Sequence, residues 1–142
     1  MTISLFLKGI ALFTNLELFT NEELSKFTGI VDLKIGNFWI NINYPGCYNL
    51  AHDHQNSVLS GVYYASAPES SGNLVLERGD KAEYFLGPYR NVSGPLTSCI
   101  AEIPPVEKTC YIFPSWIKHR VEKNDSSFNR VSIAFNLVPK DS

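Results

Sequence analysis

The chain of 142 residues contains three histidines, and two of them are separated by one residue in Asn49-Leu-Ala-His-Asp-His-Gln. In an extended segment alternate side chains share a face, so His52 and His54 can reach a common ion while Asp53 points away. His119 follows much later, after Phe113-Pro-Ser-Trp. The two histidine regions neighbour strongly apolar stretches, Val58 to Tyr64 and Tyr111 to Trp116, whose antiparallel pairing would gather the three imidazoles. Imidazoles with open coordination positions suit a catalytic iron(II), whose usual protein ligands are two histidines and one carboxylate on a single face. A second feature lies eleven positions after His119, in Asn129-Arg-Val-Ser-Ile-Ala-Phe-Asn. The Arg130 guanidinium can clamp a carboxylate through two parallel hydrogen bonds, and Ser132, facing the same way, can add a third. Metal ligands beside such a clamp describe a site for a dicarboxylate.

These side chains need a rigid frame, and the pattern around them is that of short strands. β-rich runs occur at Ile30 to Ile35, Phe38 to Asn43, Val58 to Ser66, Asn73 to Leu76, Thr97 to Ile103, Thr109 to Phe113 and Val131 to Val138. Pro-Gly, Ser-Gly, Gly-Pro and Asn-Asp turns separate them. The spacing predicts an all-β fold of the jelly-roll, or double-stranded β-helix, type. One short N-terminal helix is expected over Thr20 to Lys26, with Glu22 and Glu23 in its first turn. The Gly-, Pro-, Arg- and Tyr-rich stretch Glu77 to Pro95 is predicted to be a long loop over one end of the barrel. Its Arg78, Lys81, Tyr84, Tyr89 and Arg90 could receive a peptide, an amino acid or an anionic metabolite.

Length favours a single domain able to bury a core without disulfides or structural zinc. Hydrophobic residues make up 44% and charged residues 18%, far from the composition of a disordered chain. A net charge of -2 supplies no basic field, so nucleic acid is not an expected partner. The odd count of cysteines, Cys47, Cys99 and Cys110, has no C-x-x-C spacing and fits a reducing, cytoplasmic setting. The apolar run Ile3 to Phe13 is interrupted by Lys8 and is expected to be packed structure, and no stretch is long enough to span a bilayer. A homodimer is the default expectation for oligomeric state.

The motif set resembles the 2-oxoglutarate- and iron(II)-dependent oxygenases, whose pattern is H-x-D/E, a distal histidine, and Arg-x-Ser roughly ten positions later. More closely, residues 37 to 136 are similar to a family of small oxygenases of marine bacteria and their phages. Its signatures stand here as Phe38-Trp-Ile-Asn-Ile-Asn, Pro45-Gly-Cys-Tyr-Asn, His52-x-His54, Leu59-Ser-Gly-Val-Tyr-Tyr, Phe113-Pro-Ser-Trp and Arg130-Val-Ser-Ile-Ala-Phe-Asn. A looser likeness to prolyl hydroxylases adds Tyr44 and Tyr64. The resemblance implies Fe(II), 2-oxoglutarate and dioxygen, with His52 and His119 on the metal and no further catalytic residue. It places Arg130, Ser132 and Tyr64 on the distal carboxylate of 2-oxoglutarate, and Tyr44 in the wall of that pocket. Residues 1 to 36 would flank the barrel, and 37 to 138 would form its metal-binding core.

His54 stands where the family expects a carboxylate. Three ligand sets are therefore open: all three histidines, His52 with Asp53 and His119, or two histidines alone; the first is the reading adopted. The rival class is the cupins, which share the barrel and the H-x-H followed by a distal histidine. A cupin could be a metal-dependent dioxygenase or isomerase, or a small-molecule binder, but the chain lacks the cupin glutamate after H-x-H. A metal-free structural sandwich would leave the histidine placement unexplained.

Overall fold

The computed structural model describes residues 29, 32–79 and 98–141. Eight strands occur there: β1 (Leu33–Asn43), β2 (Asn49–His52), β3 (Leu59–Ser66), β4 (Leu74–Glu77), β5 (Ile100–Ile103), β6 (Cys110–Pro114), β7 (Lys118–Val121) and β8 (Arg130–Pro139). They form two four-stranded sheets, ordered β1-β8-β3-β6 and β2-β7-β4-β5. Every pairing is antiparallel. Apart from β4 and β5, which pair with each other, successive strands alternate between the two sheets in the manner of a jelly roll, so the predicted fold class is the observed one.

Side-chain alternation decides what faces the space between the sheets. Along β1, Trp39, Asn41 and Asn43 line it, whereas Phe38, Ile40 and Ile42 are more than half exposed. The partners of Trp39, Asn41 and Asn43 on β8 are Ala134, Ser132 and Arg130, and all three line the same space. The intervening Phe135 and Leu137 join Leu33 and Leu59 in the apolar cluster, with Ile35, Val58, Cys110 and Ile112 packed against it. Each such side chain contributes roughly 1.5–3 kcal/mol by leaving water. Gly61, opposite Phe135 in the ladder, is needed because a Cβ there would lie 2.1 Å from the Phe135 ring. The face toward the cavity thus mixes apolar side chains, Trp39, Val62 and Phe113, with the polar groups of Asn41, Asn43, Arg130 and Ser132.

Several expectations are refined. Leu33 to Ile35 of the first predicted run and the run Phe38 to Asn43 belong to one strand, interrupted by a register shift between Ile35 and Asn37. Bulges add one residue and bend the strand without ending it. Of the run predicted over Thr97 to Ile103, described from residue 98 onward, Ile100–Ile103 forms the strand. Two strands carrying histidines, β2 and β7, are too short and too polar to stand out by composition. The predicted helix over Thr20 to Lys26 lies outside the described residues. So does most of the predicted loop, of which Glu77 closes β4 and Arg78 is exposed.

Candidate metal centre

His52 ends β2 and faces His119 on β7 across the ladder. His54 lies two residues beyond β2, where its backbone N–H donates to the Ser115 carbonyl at 3.0 Å. That bond ties the H-x-H segment to the β6–β7 turn, while Leu59 pairs with Pro114 at the start of β3. The three rings meet: centroids are 4.4 Å apart for His52 and His119, 5.0 Å for His52 and His54, and 5.1 Å for His54 and His119. One nitrogen of each lies within 4.8 Å of the other two. Three metal–imidazole bonds of about 2.1 Å on one face would bring these atoms to about 3 Å from one another, a movement of up to about 1 Å for each ring. Asp53, between the two histidines, is exposed and outside this group.

The donor set fits a metal in its protonation as well as its spacing. His52 Nδ1 is 2.7 Å from the Leu50 carbonyl and His119 Nδ1 is 2.9 Å from the Ile117 carbonyl. A carbonyl only accepts, so each Nδ1 carries the proton and each Nε2 keeps its lone pair, the arrangement metal-binding histidines favour. Burial pushes the pKa of His54 below its ordinary value, and the charges of His119 and His52 add to that, with Asp53 opposing. Burial also lowers His119, against its bond to the Ile117 carbonyl; His52 lowers it further and Asp53 raises it. Neutral imidazole is the form that ligates. Phe113 packs edge-on against His119 at 4.8 Å, and Trp39 sits 5.6 Å from His54, so aromatic rings wall the group.

The same cavity continues to Arg130, Ser132 and Tyr64. Ser132 pairs with Tyr64 on one side and Asn41 on the other, and Arg130 pairs with Asn43, so strand register delivers these polar groups. Arg130 is 1% exposed, and its Nη1 donates to the carbonyls of Ser71 and Gly72. Gly72 has φ of +89°, and a Cβ there would meet the Glu122 carbonyl oxygen at 2.3 Å, so only glycine serves this anchor. Among the described residues Arg130 has no carboxylate partner, although a buried charge ordinarily requires one. Burial lowers its pKa, opposed by Tyr64. Burial lifts the Tyr64 phenol to about 12, with Arg130 opposing and Tyr111 adding, so its hydroxyl remains a donor. Tyr44, by contrast, is 58% exposed and absent from the cavity wall.

Sequence reasoning missed Asn41, Asn43, Asn49 and Asn136. Asn124 was missed as well; it is fully buried and holds the β7–β8 connection by bonds to the Asn43 and Phe128 carbonyls. The one available signal was alternation along β1 and β8, which puts asparagines on the same face as Trp39 and Arg130.

Residues 37–136, 100 of the 142, match the family described as "Putative 2OG-Fe(II) oxygenase". The chain belongs to this family, the class that its fold and site define. No functionally curated protein matches it. Among solved structures, a 2OG-Fe(II) oxygenase family oxidoreductase from Burkholderia pseudomallei is similar with a TM-score of 0.63 at 12% identity, covering 83% of this chain and 50% of that one. A prolyl-4-hydroxylase of Pseudomonas putida gives 0.58 at 19% identity, with coverage of 89% and 63%. HygX of Streptomyces hygroscopicus, with nickel and 2-oxoglutarate bound, gives 0.59 at 11% identity, with coverage of 90% and 65%. At such identities the likeness speaks for the fold, and this chain spans one half to two thirds of those proteins' length.

Proposed function

We propose that the protein is a 2-oxoglutarate- and Fe(II)-dependent oxygenase of hydroxylase type, acting on a small molecule or peptide, with one metal held by His52, His54 and His119. The observation that carries this reading is the buried Arg130 guanidinium, without a carboxylate partner among the described residues, in the same cavity as the three imidazoles. A dicarboxylate resolves both features: one end meets the metal and the other supplies the missing counter-charge. When bound, iron with 2-oxoglutarate and dioxygen supplies oxidative decarboxylation to succinate and carbon dioxide, coupled to hydroxylation of a C–H bond.

The chain's own residues position and exclude. The Leu50 and Ile117 carbonyls hold His52 and His119 with Nε2 available. Arg130 is anchored by the Ser71 and Gly72 carbonyls, so its remaining N–H groups can clamp the C5 carboxylate. Ser132 and the protonated Tyr64 hydroxyl add donors to it. Trp39, Val62 and Phe113 keep the intervening wall largely dry, which strengthens these polar contacts. Residues 37–138 act as the oxygenase core of one domain. The thiols of Cys47 and Cys110, in no disulfide, support a reducing, cytoplasmic setting. Among the described residues no helix is long and apolar enough to cross a membrane.

The test is succinate formation. Protein supplied with Fe(II), 2-oxoglutarate, oxygen and ascorbate as reductant should release succinate slowly by uncoupled turnover, and His119→Ala should release none. Equal succinate from both would reject the assignment. The cupin alternative accounts for the barrel and the three histidines but gives the buried Arg130 no role.

A further inference from the structure

Behind His54 lies a chain of polar side chains that neither the ligand set nor the carboxylate clamp uses. Ser60, Ser115 and Asn136 are 2%, 0% and 4% exposed. The Ser60 and Ser115 hydroxyl oxygens are 2.8 Å apart, with either able to donate, and Ser60 donates to Asn136 Oδ1 at 2.7 Å. The Asn136 amide nitrogen faces Asn37 Oδ1 at 3.0 Å and His54 Nδ1 at 3.4 Å. Asn37, Asn136 and Ser60 share one rung across β1, β8 and β3, so register alone brings them together. Burying such groups is costly, and they stay only where every member is satisfied.

His54 differs from its two neighbours in what faces Nδ1. His52 and His119 each meet a backbone carbonyl, which can only accept and so leaves Nε2 unprotonated. His54 meets a side-chain amide, which can present either end. With the amide nitrogen toward it, Nδ1 accepts and the ring proton sits on Nε2, which then cannot ligate. With the amide turned over, Oδ1 accepts from Nδ1–H and Nε2 carries the lone pair. The neighbours can follow this turn: Ser60 then accepts from Asn136 and donates to Ser115, and the Asn37 amide reverses to donate to Asn136.

We propose that Asn136 is a positioning residue that sets the tautomer of His54, and that the Ser115–Ser60–Asn136–Asn37 chain reverses as a unit to present His54 Nε2 to a metal. This rests on the reading of the three histidines as a metal centre. The role explains why a polar relay, and not an apolar rung, stands at this end of the sheet. It also gives His54, which lies beyond the strand and lacks a backbone partner for Nδ1, an equivalent of the carbonyls that fix the other two rings.

Two readouts separate this role from simple packing. Ring 15N shifts of the metal-free protein report each histidine's tautomer, and the visible spectrum on Co(II) addition reports metal affinity. Asn136→Asp keeps the shape and offers an acceptor, so His54 should adopt the Nδ1–H form and Co(II) affinity should stay within about threefold of wild type. Asn136→Leu offers no partner, so the His54 ring shifts should change and Co(II) affinity should fall roughly 10- to 100-fold, the usual loss for such supporting residues. Ser60→Ala removes the relay without touching His54 and should weaken Co(II) several-fold, which keeps the test open if an Asn136 variant misfolds. The proposal is overturned if Asn136→Leu binds Co(II) as wild type does, if Asp weakens binding as much as Leu, or if His54 ring shifts are identical in all variants. A wild type that binds no Co(II) would remove the metal-centre reading, while the ring shifts would still decide the role of Asn136.

Discussion

Replacing Arg130 by methionine keeps the bulk of the side chain and deletes its charge from a position that is 1% exposed. In the proposed complex the lost interaction is a desolvated, two-pronged contact with the C5 carboxylate. Hydrogen bonds to charged groups contribute about 1.5–3 kcal/mol each, and paired ones in a dry site together about 2–4 kcal/mol after desolvation. At 1.4 kcal/mol per decade, the 2-oxoglutarate Kd should rise roughly 30- to 700-fold. None of the three histidines touches Arg130, so metal affinity should change by less than about twofold. The substitution also strips the Ser71 and Gly72 carbonyls of their donor, at a cost of about 1–3 kcal/mol in stability. Calorimetric titration of 2-oxoglutarate into the Ni(II)-loaded protein, well below the melting temperature, reads the two effects apart. Arg130→Lys, which keeps charge without the fork, should fall between wild type and methionine. Binding within about threefold of wild type for Arg130→Met would refute the clamp, and loss of metal along with 2-oxoglutarate would reveal a purely structural arginine.

Other outcomes follow from the same geometry. His52→Ala and His119→Ala should each abolish Fe(II) binding, and His54→Ala should weaken it more than Asp53→Ala; metal analysis and affinity titration check this, and the reverse order would make Asp53 the ligand. Because burial holds His54 and His119 below the ordinary histidine pKa of 6.5, the unfolded chain takes up protons before the folded one does as pH falls. The metal-free protein should therefore keep its full stability above pH 6.5 and lose it progressively as pH drops from there toward the folded-state values. Melting curves in chelator from pH 8 to 5 would show this, and His119→Gln should flatten the slope. Gly61→Ala drives a methyl into the Phe135 ring and should cost about 1–3 kcal/mol, partly recovered by Phe135→Leu; an unchanged melting temperature would contradict the packing described.

Much of this site was legible in the chain because its signals are local. Alternation predicted that His52 and His54 would share a face, and Arg130-x-Ser132 that both would line one wall. The β8 register puts Arg130 and Ser132 on the cavity wall. His54, by contrast, lies beyond the end of β2 and meets His52 through the turn and not through strand alternation. The jelly roll was legible from apolar runs and turn residues. Strands β2 and β7 were not, because four residues such as Lys118-His-Arg-Val look like a polar connection until β4 and β2 pair on either side. Tyr44 differs from these: it lies near the first histidine in sequence, yet it follows the end of β1 and stands exposed. Asn136 and Ser60 were illegible for a different reason. An isolated asparagine or serine in a strand announces nothing, and only a cross-strand rung reveals that they converge behind His54.

The central claim is that one iron sits among His52, His54 and His119 with 2-oxoglutarate reaching from it to Arg130. Crystals grown without oxygen in Fe(II) and 2-oxoglutarate, measured at the iron absorption edge, test it most directly. The account predicts a single anomalous peak about 2.1 Å from one nitrogen of each histidine, and density for a five-carbon diacid whose far carboxylate meets Arg130. A peak ligated by Asp53, no peak at all, or 2-oxoglutarate bound away from Arg130 would contradict it.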